Sequence, residues 1–467
     1  MNPYLLILFL YSILLISLGA VLSRRVKSPE DFYVAGRRLG PGLLFSTMLA
    51  ANIGAGSTIG AAGLGFALGM VGWWWVGSAG LGSLILAFLI GPRIWKIAKR
   101  HGFFTLGDYL EFRYDRPVRI CVALLLWMGS LTILAGQLIA FARILEVVAG
   151  TPKSLGCLLG GVVVVTYFSA SGLKGAAWIN LLQLIVKGFG FLLAVPFAMA
   201  AVGGWGAMRE AILLRPEVPS HYFSLTGSGW EQALPYLVLL APSFIVSPGL
   251  IQKIYGARDD FAVRSGASLN AVALLAFAII PVVLGMAAAS MFPNLSHPEL
   301  ALPVVMTEML PFWLGATLLA SVFSAELSSA DAILFMLSTS LSRDLYQTLM
   351  NSSVSQSRLL AMSRRISVLA GSLGVALSIL LPSVIDALTL FYGLLSVALF
   401  VPLIAGLYSP RLGARHALAA ILVSVPAAGV FHLMTGGGAG PISSTAFGIF
   451  ISFLVISPSL IRGAFRR

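Results

Sequence analysis

The chemistry open to this chain is concentrated in a few polar residues set within long apolar runs. In Ala50-Ala51-Asn52-Ile53-Gly54-Ala55-Gly56-Ser57, glycines at 54 and 56 weaken a helix and release the carbonyls near Ala50 and Ile53 from their i+4 donors. In Ala325-Glu326-Leu327-Ser328-Ser329-Ala330-Asp331, the i, i+3, i+4 rule puts positions 325, 328 and 329 on one helical face. A carbonyl and two hydroxyls there, added to the carbonyls of 50 and 53, make five neutral oxygens. Hard oxygen ligands of that kind and number suit a desolvated alkali cation such as sodium. Plainer uses stay open for both segments. Asn52 can cap or bridge helices, and a serine in an apolar helix often bonds its own backbone or a neighbouring helix.

Lys187 is the unusual residue, seven positions and so two turns beyond Asn180 on the same face of an apolar run. A lysine at bilayer depth must meet an anion or lose its proton. Three roles remain open to it: structural pairing, contact with an anionic solute, and replacement of a metal cation or carriage of a proton. Gln137 is a candidate for binding a solute or for a helix–helix hydrogen bond. Arg143, nearer a helix end, reads as a snorkelled anchor. Trp73, Trp74 and Trp75 read as an interfacial belt rather than a cavity wall. Enzyme motifs are missing: there is no H-E-x-x-H and no G-x-S-x-G, and the five histidines are scattered. The glycines at 54, 56 and 60 miss the dinucleotide spacing. Chemistry on a covalent bond has no support.

The elements that must hold these residues are membrane helices. The 467 residues are 58% hydrophobic and only 10% charged, where soluble domains carry roughly 25% charged residues. That excludes a soluble enzyme or nucleic-acid-binding protein despite the +13 net charge. Thirteen apolar stretches, at about 3–22, 42–69, 71–95, 119–147, 155–170, 175–202, 230–252, 266–291, 312–341, 366–382, 384–408, 415–434 and 443–462, approach or exceed the length that crosses a bilayer. Their continuous apolar character excludes a β-barrel. With the N-terminus outside and the C-terminus inside, 25 of the 30 Lys and Arg fall in cytoplasmic segments and only Lys153, Arg209 and Arg215 fall outside. No basic region precedes the first apolar run, so that helix is expected to stay in the mature protein. Cys121 and Cys157 lie in apolar runs and are expected to be inert thiols.

Two interruptions complete the plan. The second span is broken by Gly54, Gly56 and Gly60, and the seventh, five helices later and oppositely directed, around Ser247-Pro248-Gly249. That is the pattern of an inverted five-helix repeat. The expected organisation is an extra helix and cytoplasmic lead-in (1–41), a first five-helix repeat (42–202), an external loop (203–229), a second repeat (230–408) and two C-terminal helices (409–467).

In chain order, several motifs resemble the sodium/solute symporter family. They are Asp31-Phe32-Tyr33-Val34-Ala35-Gly36-Arg37-Arg38-Leu39-Gly40, then Ala50-Ala51-Asn52-Ile53-Gly54-Ala55-Gly56, then Ser171-Gly172-Leu173-Lys174-Gly175-Ala176-Ala177-Trp178 with Gln183. Gln252-Lys253 before Tyr255-Gly256-Ala257-Arg258-Asp259, then Ser328-Ser329-Ala330-Asp331, and Ser342-Arg343-Asp344-Leu345-Tyr346 continue the match. The resemblance implies the leucine-transporter-like fold and sodium-driven alternating access. It implies a sodium site at the carbonyls of Ala50, Ile53 and Ala325 and the hydroxyls of Ser328 and Ser329. A second cation site, present in only some members, would involve Asn180 and Asp331, where this chain departs from the family's residues. Solute candidates are Ser57, Gln137, Lys187, Ser247 and Gly249. Ser57 and Ser247-Pro248 differ from the residues of sugar-carrying members, which argues against a hexose.

The expected protein is therefore a multi-pass protein of the cell (inner) membrane that imports a small anionic or zwitterionic solute with sodium. Its partners would be the solute and the bilayer, with no nucleic acid, as a monomer or loose oligomer. Two rivals remain: a sodium-independent or proton-coupled carrier of the same fold using Lys187, and a transporter-like solute sensor.

Overall fold

Proline and glycine punctuation sets the helix ends. The computed structural model describes residues 2–23, 34–341, 356–409, 412–439 and 442–462, with the side chains of 167–182 and of some helix ends left aside. Asp31-Phe32-Tyr33 and Ser342-Arg343-Asp344-Leu345-Tyr346 lie outside the described residues.

Helix α1 spans Pro3–Ser23 and α2 spans Pro41–Asn52, the latter opening on a proline at its first position. After a break come α3 (Ile59–Leu68), α4 (Trp73–Ile85) and α5 (Gly91–His101), which ends on Gly102 at φ 72°. Helix α6 (Leu106–Arg113) starts from a Thr105–Asp108 capping box, and α7 (Arg116–Ala149) from Asp115, whose carboxylate accepts from Val118 N. Helix α8 covers Lys153–Ala201. It is helical throughout where the sequence places two spans, 155–170 and 175–202. Next come α9 (Trp230–Ile245), α10 (Pro248–Tyr255), α11 (Asp260–Phe277) and α12 (Ile279–Met291). Helices α13 (Phe312–Thr339), α14 (Gln356–Leu380), α15 (Val384–Tyr408), α16 (Ala414–Thr435) and α17 (Ser444–Arg462) complete the bundle.

Among the described residues eight helical stretches are long and apolar enough to cross a membrane, and four shorter ones are apolar. Together these twelve stretches account for the thirteen expected spans, because the expected second and third merge into one helical stretch over 55–101. Charge patterning marks span ends only where basic loops flank them, and the single Lys174 between the expected fifth and sixth spans is a weak marker.

The broken pair sits inside a shell of packed helices. Helix α4 packs on α9 and α11, α3 on α12, and α7 on α8, α14 and α15. Helix α8 packs along α13 and also touches α2. At the end bearing the basic loops, Leu39 exchanges backbone hydrogen bonds with Gly256 and Arg258, at 3.0 Å each, so the lead-in is pinned to the turn after α10. On the same side Arg113 donates to the carbonyls of Gly406, Ser409 and Leu412, holding the end of α15. Both cysteines are free, Cys157 buried and Cys121 half-buried.

The charge distribution of the sequence predicts that residues 203–229 are external. A cysteine at Ser224, introduced after replacement of Cys121 and Cys157, should react with an impermeant thiol reagent applied to intact cells. Reaction only after permeabilisation would reverse the orientation.

Candidate functional site

The break after α2 forms because its backbone donors turn elsewhere. Ile53 (φ −91°, ψ 97°) and Gly54 are extended, and a single 3₁₀ turn over Ala55–Ser57 leads into α3. Gly54 N, the i+4 donor for Ala50, donates instead to Ser57 Oγ at 3.0 Å. Ser57 N, the donor for Ile53, goes to Gly54 O at 3.0 Å. Two carbonyls are thereby freed, and both point at α13. Ser328 Oγ lies 3.1 Å from Ala50 O and from Ala325 O, and Ser329 Oγ donates to Ile53 O at 3.3 Å. The five oxygens named from the sequence are brought together.

A side chain already contacts three of the five. Lys187 reaches in from α8 and donates to Ser328 Oγ at 2.7 Å, Ile53 O at 3.3 Å and Ala50 O at 3.4 Å. An ammonium has three donors, and here it meets three acceptors. Lys187 is 1% exposed and does not reach the cavity described below. Its solute-contact role is therefore not the one this geometry supports. The donor set is chemically right for sodium, but the residues present do not fit an added ion. Two unit charges about 4 Å apart repel by about 4 kcal/mol at an effective dielectric of about 20.

Beside this cluster, Glu326 puts a carboxyl group in the same buried layer. Its Oε1 accepts from Thr58 Oγ1 at 3.0 Å, across the break, and it interacts electrostatically with Lys187. Glu326 was not singled out from the sequence, although a lone acidic residue within an apolar helix is itself a signal. Asn52 takes the bridging role: its Nδ2 donates to Asn270 Oδ1 at 3.0 Å, and Asn270 continues to Ser83.

A cavity of about 280 Å³ lies between the two breaks. Ser57, Gln137, Ser247, Gly249, Ser329 and Asp331 all border it. Ser57 Oγ is turned back on the break, and Gln137 Oε1 accepts from Ala55 N at 3.0 Å, so both brace the interrupted backbone. Ser247 caps α10 through Leu250 N. Asp331 Oδ1 has no partner among the described residues, and Asp331 interacts electrostatically with Lys253 on α10, which also borders the cavity. Asn180 lies on α8 among the residues whose side chains are not described. Trp75 is 3% exposed and forms a wall with Tyr392, so the belt reading is corrected for that residue. Its neighbour Trp74 donates to Leu225 O and packs on Trp230. The cavity runs from these aromatics to Val34, Leu39 and Gly256 at the basic-loop end.

Above the aromatic wall, Arg143 is buried and not snorkelled. It pairs with Glu146 at 2.9 Å and approaches Glu299 at 3.6 Å. Glu299 in turn accepts from Val384 N at 2.7 Å and Ile385 N at 3.4 Å, capping α15. Nothing in the local sequence marks this cluster, because its members come from three distant segments.

Comparison with known proteins places the arrangement. The profile of the sodium:solute symporter family matches residues 32–424. The sodium/pantothenate symporter of Escherichia coli (strain K12) is 27% identical over 414 residues, 84% of this chain and 82% of that protein. The sodium/proline symporter of the same organism is 22% identical over 391 residues, 81% of this chain and 77% of its own length. Among solved structures, a Na+-coupled sialic acid symporter in a substrate-bound outward-open state superposes with a TM-score of 0.83 at 18% identity, covering 99% of this chain and 97% of the other. The fold is that of the leucine-transporter-like carriers.

Proposed function

The chain belongs to the sodium:solute symporter family, and from that premise we propose that it imports a small carboxylate-bearing solute, anionic or zwitterionic, across the cell membrane by alternating access. The observation that carries the reading is the cavity between the two broken helices. Interrupted helices around a mid-membrane site are how such carriers expose free backbone groups to a solute while keeping the rest of the backbone paired. At about 280 Å³ the space lies at the low end for ligand sites, which favours a small solute. Lys253 and Asp331 give it one group of each charge sign, with Trp75 and Tyr392 as apolar wall. Pantothenate, proline and sialic acid, for which three of the similar proteins are named, all bear a carboxylate, whereas others are named for glucose and iodide.

The lead-in and the turn after α10 border the cavity at the basic-loop end, while the aromatics and the Arg143–Glu299 cluster lie at the other. On that reading the described state faces inward. Alternating access then requires the external cluster to part while Leu39 and Gly256 close over the inner end.

Thermal shift of the purified protein against small carboxylic acids, amino acids and sugars tests the reading. Carboxylates should stabilise it, and Lys253→Gln should raise the half-saturating concentration of the best carboxylate at least about tenfold, one charge-assisted contact being worth about 1.5–3 kcal/mol. The corresponding amide should be affected far less. Stabilisation by hexoses alone, or an unchanged carboxylate affinity in Lys253→Gln, would refute this assignment.

Family membership implies sodium use. A second reading, a carrier of the same fold that works without the ion, is favoured by one observation, the ammonium of Lys187 among the five oxygens.

A further inference from the structure

We propose that Lys187 is a tethered cation: its ammonium fills the ion cradle between the broken α2–α3 segment and α13, so that this cradle takes no sodium. The proposal rests on the transport reading for its meaning, but its geometry stands apart from the identity of the solute.

Four features support it. The first is placement. The side chain that enters the cradle comes from α8, a helix that supplies none of the five oxygens. The second is completeness, since the ammonium's three donors meet three acceptors and none is left unpaired. The third is dryness. Lys187 is 1% exposed, Ala50 1% and Ser328 2%, so the ammonium is shut off on the side of these groups, and of the five ligand residues Ser329 borders the cavity. The fourth is local charge. Glu326, next to Ala325, adds a carboxyl group in the same layer, tied to the break through Thr58.

An ion at this place in a sodium-coupled carrier would tie the broken helix to α13. Here three hydrogen bonds from a side chain do the same, and the side chain is covalently held to α8. What Lys187 can do is enter or leave the cradle with α8. Helix α8 packs along α13 and touches α2, and Ser321 Oγ donates to Val186 O at 2.8 Å, which fixes the lysine's depth against α13. In place of binding and releasing an ion, the carrier would insert and withdraw a residue.

A tethered occupant makes a prediction opposite to that of an ion site. The full chain is purified, and its melting temperature is followed as sodium chloride replaces choline chloride at constant ionic strength. Wild-type protein should show no saturable sodium-specific shift. Lys187→Ala, which empties the cradle but leaves all five oxygens, should gain one, and Lys187→Ala with Ser328→Ala should lose it again. A saturable sodium shift in the wild type that Ser328→Ala abolishes would overturn the proposal. So would a folded Lys187→Ala protein that ignores sodium, because the five oxygens would then not be an ion cradle. If Lys187→Ala does not fold, the wild-type titration with its Ser328→Ala control still decides the question. Failure of every solute to stabilise the protein would count against the transport reading alone, since the sodium titration contains no solute. In proteoliposomes, wild-type uptake of the stabilising solute should change less than twofold when sodium is replaced by choline. A tenfold or greater loss would overturn the proposal.

Discussion

Replacing Gly54 with alanine should lower solute uptake by at least about tenfold while the protein still reaches the membrane. A Cβ at position 54 would lie 2.3 Å from Ser329 Oγ, 2.7 Å from Ser329 Cβ and 2.9 Å from Gln137 Oε1. The contact with Ser329 Cβ cannot be relieved by rotating a hydroxyl, so α13 or the break itself must move. Overpacking of this kind costs about 1–3 kcal/mol, and the strain falls on the segment that presents the carbonyls of Ala50 and Ile53. The effect is expected on function more than on folding, because the break is already irregular and the surrounding helices pack without it. Ser329→Gly in the same chain removes two of these three atoms, leaving the terminal Oε1 of Gln137, and should restore part of the uptake. Uptake per molecule equal to wild type in Gly54→Ala, or no recovery in the double variant, would show that the close approach of the break to α13 is not required.

What the sequence made legible follows from what is local. The break at Gly54 and the one at Ser247-Pro248 were readable because glycine and proline act on their own backbone. The convergence of 325, 328 and 329 was readable from helical periodicity alone. The destination of Lys187 was not, because periodicity gives the face of α8 but not which neighbour that face meets. The same limit hid Glu326–Thr58, which joins residues 268 positions apart, and Arg143–Glu299, which joins a span to a loop. Ser57 and Gln137 were placed at the cavity, but their polar atoms are engaged by the backbone of the break, a pairing visible only once the break has a shape. The fifth and sixth spans were separated by a lysine in the sequence, and α8 is helical across it.

Acidification should strengthen closure of the external end, and Glu299→Gln should abolish that response. Glu299 lies between α12 and α13, outside the apolar spans, against Gly63 of α3 and the first turn of α15. Burial, the largest influence, raises its pKa from 4.5 to about 7, although Arg143 and the N–H groups of Val384 and Ile385 act to lower it. The other ionisable groups around this cluster are Glu146, Lys153, His297 and Asp386. When the external end opens, the carboxyl group meets water and returns toward its ordinary value. The closed state therefore holds the proton more tightly, and linkage favours closure at low pH. The contribution is complete below about 4.5 and is lost as the pH rises to about 7. A shift of that size corresponds to about 3 kcal/mol, read here as a change of tens-fold or more in the ratio of closed to open protein. Ala332, which borders the cavity, serves as a reporter when replaced by cysteine in a chain lacking Cys121 and Cys157. Its labelling from outside by an impermeant thiol reagent is compared with that of the same chain carrying Glu299→Gln, so that the reagent's own pH dependence cancels. The ratio of the two rates should rise between pH 5 and pH 8 in favour of the chain that keeps Glu299. A ratio independent of pH, or one that falls, would mean that Glu299 stays in contact with water in the closed state or remains buried in the open one.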